Sequence, residues 1–182
     1  MIVACDLNGG IGKDGSIPWC LQEDLKRFKR ITTQTRDPDK QNAVIMGRRT
    51  WESLKGPLTG RVNIVLSTKA PARAAGVIWA KSYEEAMRVC EDRHVEKSFI
   101  IGGSSLYSMG LSDARIRCVH LTLIEERVAG CDTFFPIDRL HAHGFVEDLE
   151  YTQHCKNDAY RWCQKLLLRL PGESSMSVPV PS

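Results

Sequence analysis

The alternation of strand-like apolar runs with helical patterns is the feature that most constrains the fold of this 182-residue chain. Apolar runs bounded by turn residues predict strands; they are IVACDL (2–7), NAVIMG (42–47), RVNIVLS (61–67), VIWA (77–80), SFIIGG (98–103), RIRCVHLTLIEE (115–126), FVEDLEYTQ (145–153) and AYRWCQKLLLRL (159–170). Helical patterns lie over 21–32, 49–54, 83–92 and 104–109. This alternation predicts an open α/β sandwich with a largely parallel sheet.

The last third of the chain lacks helical patterns. The turn-like Lys156-Asn157-Asp158 separates the last two apolar runs, which predicts an antiparallel hairpin at one edge of the sheet. From Pro171 the chain is small, polar and proline-rich, so we expect residues 171–182 to form a disordered tail. The length predicts one domain, over residues 1–170.

Charge, hydropathy and cysteine spacing exclude several classes of protein. The formal net charge of +3 is too small for a wide phosphate-binding surface, so nucleic acid is not favoured as a partner. No apolar run approaches the roughly 20 residues of a membrane-spanning helix, and residues 1–7 are too short for a signal sequence, so we expect a cytoplasmic protein. The seven cysteines and five histidines lack metal-ligand spacing, which predicts reduced thiols and no metal site.

One carboxylate lies on the apolar side of the first predicted helix. At about 100° per residue, four apolar residues fall in one arc that should face inward. They are Leu21, Leu25, Phe28 and Ile31, and Asp24 falls inside their arc. Two interpretations fit this pattern. Either the helix dipole stabilises an acid in the first turn, or the acid lies in an apolar cleft and binds a flat cationic or amide-bearing ligand against Phe28.

The segment that precedes this helix, GGIGKDGSIPW (9–19), contains four glycines and one proline. This composition predicts a loop. Its apolar end, Ile17 and Trp19, could close over a ligand and exclude water. The alternative is an ordinary turn in which Trp19 packs under the helix.

Two strand-to-helix junctions could bind an anion. Gly47 precedes Arg48 and Arg49, and the pair Gly102-Gly103 precedes another predicted helix, so backbone N–H groups at each helix start could face a phosphate. Such junctions are common in α/β proteins. Residues 21–61, however, contain ten basic and five acidic residues, which favours a small, local anionic ligand.

Six ordered motifs carry a resemblance to the dihydrofolate reductase family over residues 2–169. They are IGKDGSIPW (11–19), an acid five residues beyond that tryptophan, VIMGRRTWESL (44–54), GRVNIVLST (60–68), FIIGG (99–103) and CDTFFP (131–136). The resemblance implies a three-layer sandwich with a central, mostly parallel eight-stranded sheet, an antiparallel C-terminal edge strand, and helices on both faces. Departures from the family pattern are Cys20-Leu21-Gln22, a longer 35–42 segment and the tail.

The resemblance also implies an activity. It implies NADPH-dependent reduction of 7,8-dihydrofolate to 5,6,7,8-tetrahydrofolate, by hydride transfer from nicotinamide C4 to pterin C6 with protonation at N5. This reaction supports one-carbon metabolism and thymidylate synthesis. Expected ligands are dihydrofolate, folate, and antifolates such as methotrexate. Catalysis would need no nucleic acid, and the protein would be a monomer.

Roles for individual residues follow from the same resemblance. Asp24 would bind the 2-amino and N3 groups of the pterin, Thr122 would brace that carboxylate, and Trp19 would hold an ordered water under a lid formed by 9–20. A water admitted there would protonate N5. The other substrate-binding positions implied are Ile2, Ala4, Leu25, Phe28, Leu54, Ile101, Tyr107 and Arg61, the last for the glutamate carboxylate.

The implied NADPH-binding positions are Ala4, Ile11, Gly12, Gly15, Ser16, Gly47, Arg48, Arg49, Thr50, Leu66, Ser67, Thr68, Lys81, Gly102, Gly103, Ser104, Ser105 and Leu106. Among them, Arg48 with Ser67 and Thr68 would favour the 2′-phosphate. The resemblance also implies a cis peptide bond between Gly102 and Gly103.

Two alternative functions belong to other classes. A riboflavin-pathway pyrimidine reductase shares the fold class and the nicotinamide cofactor, but Asp24, Phe28 and Arg61 favour folate. A noncatalytic nucleotide- or RNA-binding module could use the basic 21–61 region. Steeply salt-dependent binding would support the module, whereas tight, weakly salt-dependent antifolate binding would support the reductase.

Overall fold

The structure, a computed structural model, describes residues 1–69, 75–157 and 159–171. Its strands are β1 (Ile2–Cys5), β2 (Gly10–Gly12), β3 (Asn42–Gly47), β4 (Arg61–Leu66), β5 (Val77–Ala80), β6 (Ser98–Ile100), β7 (Cys118–Ile124), β8 (Thr133–Phe134), β9 (Phe145–Lys156) and β10 (Arg161–Arg169). Its helices are α1 (Gln22–Thr33), α2 (Arg48–Ser53), α3 (Tyr83–Asp92) and α4 (Ser104–Ser112), and 3-10 turns lie at Ile137–Arg139 and His141–His143. Every predicted strand and helix is confirmed, with small differences at the ends.

Helix α4 continues beyond its predicted end at residue 109, although glycine weakens helices. The reason lies in its packing on β6. A Cβ atom at Gly110 would lie 2.5 Å from the Ile100 side chain and 3.0 Å from the Met1 sulfur. Glycine therefore allows the helix to approach the sheet closely here.

The strands form two four-stranded sheets and a two-stranded ribbon of β2 and β8 in the described part of the chain. One sheet has the order β5-β4-β3-β6 and is parallel throughout. The other has the order β1-β7-β10-β9, in which β1 and β7 are parallel and β10 is antiparallel to both of its neighbours. The mixed α/β architecture is as expected, but one continuous eight-stranded sheet is not confirmed.

Strands β1 and β6 lie at the edges of the two sheets. Strand β6 has only three residues, and the N–H of the next residue, Ile101, donates to Ile45 of β3. On the other side, the Ile2 carbonyl of β1 accepts a hydrogen bond from the Tyr107 hydroxyl. Buried residues of both sheets nevertheless share one hydrophobic core.

Helices cover both faces of the β5-β4-β3-β6 sheet, as the alternating side chains of β3 indicate. Ala43 and Ile45 pack in the core cluster that contains buried residues of α3 and α4. Val44 and Met46 point the other way and pack in a second cluster with Trp51 of α2. The sheet is therefore the middle layer of a sandwich.

The C-terminal hairpin is confirmed, because β9 pairs antiparallel with β10 and forms the edge of its sheet. The Asn157 N–H donates to the Tyr160 carbonyl across the turn at 2.9 Å. Asp158 of the predicted turn lies outside the described residues, as do residues 172–182 of the predicted tail.

Two further findings concern membranes and metals. Within 1–69, 75–157 and 159–171, no helix is long and apolar enough to cross a membrane. The same ranges contain no group of three or more His, Cys, Asp or Glu side chains that could hold a metal ion. All seven cysteines are free thiols.

Candidate active site

Helix α1 forms one wall of the candidate site. The prediction that the apolar arc faces the core is confirmed for Leu21, which is 2% exposed. It is wrong for the rest of the arc, since Leu25 is 56% exposed and Phe28 and Ile31 are partly exposed. The buried side chains of the helix are instead Arg27 and Thr32. The apolar arc is therefore a partly open surface available to a ligand, with Asp24 in its first turn.

Asp24 reaches from α1 to the middle of β7. The Thr122 hydroxyl donates to Asp24 Oδ1 at 2.5 Å, and Thr122 itself is 1% exposed. Burial raises the pKa of Asp24, whereas the Thr122 hydrogen bond and the Arg27 charge partly offset that rise. Thr122 lies directly beside Ala4 of β1 in the strand register. This arrangement favours an acid held for a ligand over a solvated first-turn carboxylate.

Sequence analysis missed Arg27, which falls on the charged side of the predicted helix. The side chain is 5% exposed, and its Nη1 donates to Thr122 Oγ1 at 3.3 Å. Its guanidinium lies 5.9 Å from the centre of the Tyr151 ring on β9. The helical projection alone gives no indication of these contacts.

Arg61 lies at the other end of the same helix surface. Its guanidinium is 5.7 Å from the centre of the Phe28 ring, and its Nη1 donates to Thr32 Oγ1 at 2.8 Å. Burial lowers the pKa of Arg61. Because Thr32 is eight residues from Asp24, the acid and the cation are separated by about 12 Å along the helix axis. Acid, aromatic ring and cation thus follow one another along α1.

The other predicted substrate positions include two core residues. Ile2 and Tyr107 are 6% and 4% exposed, and the Tyr107 hydroxyl donates to the Ile2 carbonyl at 2.9 Å. They support the site mainly from the core side. Ala4, Leu54 and Ile101 are partly exposed, and the last two pack against the cluster beside α2.

Several of the predicted cofactor positions lie at the carboxyl ends of parallel strands. In the register, Gly47 of β3 lies beside Leu66 of β4, and Leu66 lies beside Ala80 of β5. The residues that follow these strand ends, including Ser67 and Lys81, therefore share one edge of the sheet. Ligands of open α/β sheets bind outside this edge.

The two glycine junctions adjoin each other. The Gly47 N–H donates to the Gly102 carbonyl at 2.8 Å, and the expected cis peptide bond between Gly102 and Gly103 is confirmed. Gly102 has φ +124°, and a Cβ atom there would lie 3.3 Å from Thr50 Oγ1. Gly103 is the N-cap residue of α4 and has no side chain to cap the helix, which leaves N–H groups at the helix start for another acceptor.

Most of the cofactor positions are accessible. The exposed ones are Gly15, Ser16, Arg48, Arg49, Thr68, Lys81 and Ser105, and the partly exposed ones are Ala4, Ile11, Gly12, Gly47, Thr50, Leu66, Ser67, Gly103 and Ser104. Gly102 and Leu106 are buried. The side chain of Leu106 belongs to the core, so only its backbone could contact a cofactor.

The glycine-rich segment contains more regular structure than expected. The prediction of a loop throughout 9–19 is wrong, because β2 (Gly10–Gly12) pairs antiparallel with β8. Lys13 and Ser16 then exchange backbone hydrogen bonds of 2.8 and 2.9 Å, which close a tight turn. A Cβ atom at Gly9 would lie 2.3 Å from the Phe135 carbonyl oxygen, so glycine permits this close backbone approach.

Trp19 is 8% exposed and packs with Leu21, Ile124 and Trp162. Trp19 thus contacts the residue before α1 and residues of β7 and β10, and both interpretations of its role stay predictions. Ile17 is 62% exposed. Closure of this segment over a ligand stays a prediction.

Asp6 anchors the glycine-rich segment and was also missed. Its side chain is 1% exposed. Oδ1 accepts from the N–H groups of Asn8 and Gly10 at 2.9 and 2.7 Å, and Oδ2 accepts from Val128 at 2.8 Å. The position of Asp6 between a predicted strand and the pair Gly9-Gly10 could have indicated this role, but its distant partner Val128 could not be predicted.

We expect Asp6→Ala to lower the free energy of unfolding by about 3 kcal/mol, because three N–H groups lose a buried charged acceptor. Urea denaturation measures the change. Asp6→Asn is the matched control, since it keeps one acceptor oxygen and should lose less. Equal stability of Asp6→Ala and the wild type would contradict the anchoring role.

Comparison with known proteins gives consistent matches. The family model described as dihydrofolate reductase matches residues 1–166. The dihydrofolate reductase of Drosophila melanogaster is 42% identical over 142 residues, which cover 75% of this chain and 78% of that protein. The bifunctional dihydrofolate reductase-thymidylate synthase of Daucus carota is 43% identical over 147 residues, which cover 75% of this chain and 28% of that protein. The chain thus spans little more than a quarter of the bifunctional relative.

Proposed function

Because the chain belongs to the dihydrofolate reductase family, we propose that it reduces 7,8-dihydrofolate to 5,6,7,8-tetrahydrofolate with a nicotinamide cofactor. The observation that carries this proposal is the partly buried Asp24 carboxylate, held by Thr122 and followed along α1 by Phe28 and Arg61. This order of acid, ring and cation suits a substrate with a flat, hydrogen-bonding head and an anionic tail.

The substrate would lie along α1. The Asp24 carboxylate would accept hydrogen bonds from the 2-amino and N3 groups of the pterin, and the ring of Phe28 would pack beside the middle of the molecule. The Arg61 guanidinium, held by Thr32, would donate to the glutamate carboxylate. A riboflavin-pathway pyrimidine lacks this carboxylate, so the position of Arg61 supports folate.

The cofactor we propose is NADPH, which supplies the hydride when bound. The adjoining glycines support this assignment, because they leave the backbone of the two junctions free of side chains. Backbone N–H groups at the start of α4 would bind phosphate oxygens. Arg48, Ser67 and Thr68 would bind the 2′-phosphate.

Proton delivery is the second part of the proposed chemistry. The carboxylate of Asp24 orients the pterin and favours its protonated form. As the family resemblance implies, it would lie at the far edge of the ring from N5, so a water admitted near Trp19 would give its proton to N5. Apart from this one water, closure of residues 9–20 would exclude solvent from the site.

We further propose a monomer, because Asp24, Phe28 and Arg61 all come from one chain. A cytoplasmic location is supported by seven free thiols, which suit a reducing compartment. The reaction would serve one-carbon metabolism and thymidylate synthesis, and antifolates such as methotrexate would compete for the Asp24 end of the site. One domain over 1–170 is supported by the family match to 1–166.

The direct test follows the oxidation of NADPH and NADH in parallel with dihydrofolate as acceptor. We expect kcat/KM to be higher with NADPH by roughly tenfold or more, since the 2′-phosphate adds charge-assisted hydrogen bonds. Arg48→Ala should reduce this preference. NADPH binding without dihydrofolate-dependent oxidation would reject the reductase and favour a noncatalytic nucleotide-binding module.

A further inference from the structure

Arg27 is a buried cation that the proposed chemistry does not use. At 5% exposure it is among the most buried charged side chains of the described structure. Burying a guanidinium is costly unless it is paired and hydrogen-bonded. Its Nη1 bonds to Thr122, whereas its Nη2 is buried with no hydrogen-bond partner in the described ranges. Because this burial is costly, we expect the positive charge of Arg27 to have a function.

The contact with Thr122 constrains the direction of the threonine hydroxyl. A hydroxyl has one proton and two acceptor lone pairs, and a guanidinium can only donate. Because Thr122 Oγ1 accepts from Arg27, its single proton is left for Asp24 Oδ1, 2.5 Å away. Arg27 therefore acts on Asp24 through an oriented hydroxyl.

The other titratable groups near Asp24 contribute little charge at neutral pH. On β7, burial and the charge of Arg27 lower the pKa of His120 to about 4. Burial raises the pKa of Cys155 on β9 and of Tyr107 on α4, so both stay neutral. On α1 itself, Glu23 is exposed and pairs with Lys26 at 2.7 Å.

We propose that Arg27 is a positioning residue, which turns the Thr122 hydroxyl proton toward Asp24 and supplies the buried positive charge that holds this carboxylate in its ionised form. Its action on turnover rests on the function proposed above. Its action on Asp24 does not, because the three side chains interact without any ligand. Direct contact between Arg27 and Asp24 would form a closed ion pair, whereas the intervening hydroxyl leaves carboxylate oxygen available to a ligand.

The test is a carboxyl ¹³C NMR titration of Asp24 in the ligand-free wild type, Arg27→Met and Arg27→Lys. We expect Arg27→Met to raise the pKa of Asp24 by about one unit, because a nearby cation favours the ionised carboxylate. Arg27→Lys keeps the charge but has fewer donors, so its shift should be smaller. The apparent pKa of the hydride-transfer rate should move in the same direction as the titration.

The possible outcomes separate this proposal from the proposed function. An unchanged Asp24 titration in folded Arg27→Met would overturn the role of Arg27. If that variant does not fold, Arg27→Gln decides, because glutamine removes the charge but keeps a polar side chain, and an unchanged pKa of Asp24 would overturn the role of Arg27. If the pKa of Asp24 shifts in the Arg27 variants but the wild type does not oxidise NADPH with dihydrofolate, the role of Arg27 is supported and the reductase is rejected.

Discussion

Asp24→Asn should keep NADPH binding and lose roughly 10²-fold or more in the rate of hydride transfer at pH 7, because assistance by a positioned acid is typically worth that much. The asparagine can still contact Thr122, so the geometry of the β7 side should survive. It cannot carry the negative charge that favours a protonated pterin. The loss should therefore fall on the chemical step and not on assembly of the site.

Single-turnover measurements of NADPH oxidation test this expectation. Glu23→Gln is the matched control, since Glu23 precedes Asp24 on the same helix but is exposed and bonded to Lys26. It should behave as the wild type does. The rate of Asp24→Asn should continue to rise as the pH falls, because solvent then protonates more of the substrate. A wild-type rate in Asp24→Asn at pH 7 would reject the assignment.

The same variant should change how stability depends on pH. Burial raises the pKa of Asp24 in the folded protein above its value in the unfolded chain. The folded state therefore holds the proton more tightly, and the contribution of Asp24 to the free energy of unfolding falls as pH rises through the interval between the two pKa values. Asp24→Asn lacks this decrease. Its melting temperature relative to the wild type should increase with pH across that interval.

The sequence predicted Asp24 and Phe28 because their arrangement is local to one helix. Periodicity states which side chains share a face, but it does not state whether that face meets the core or solvent. Leu25, at 56% exposure, shows the difference. The apolar arc of α1 was identified correctly, but its burial was predicted correctly only at Leu21.

Arg27 could not be predicted because its partners are distant in the chain. Thr122 is 95 positions away, and Tyr151 lies on a different strand. Both approach α1 only after β7 and β9 have assembled. On the helix alone, Arg27 resembles its exposed basic neighbours.

The strands were predictable from apolar runs, whereas the way in which they pair into sheets was not. Whether β1 and β6 share a ladder depends on individual backbone hydrogen bonds around a three-residue strand. Near that strand the Tyr107 hydroxyl donates to the Ile2 carbonyl, and no periodic sequence pattern predicts this contact. Strand β2 was missed for a similar reason, because the partner that orders its glycines, β8, lies more than a hundred residues later.

The second large effect should come from Arg61→Met, which we expect to raise KM for dihydrofolate roughly 10²-fold or more, since truncating one partner of a charge-assisted pair leaves the carboxylate unpaired. The change should appear mainly in KM, because Arg61 lies about 12 Å along α1 from the acid. Steady-state kinetics at saturating NADPH measure it. Arg61→Lys keeps the charge but lacks the forked geometry of the guanidinium, so its KM should lie between those of the wild type and Arg61→Met.

A truncated substrate separates binding of the anionic tail from structural damage. Arg61 also holds Thr32 and contacts Phe28, so its loss could disturb α1 itself. A 7,8-dihydropterin without the benzoylglutamate tail has no carboxylate for Arg61 to bind. If Arg61 acts on that tail alone, wild type and Arg61→Met should reduce this compound with equal kcat/KM. An equal loss with both substrates would instead show that Arg61 maintains the helix, and the anionic-tail assignment would fail.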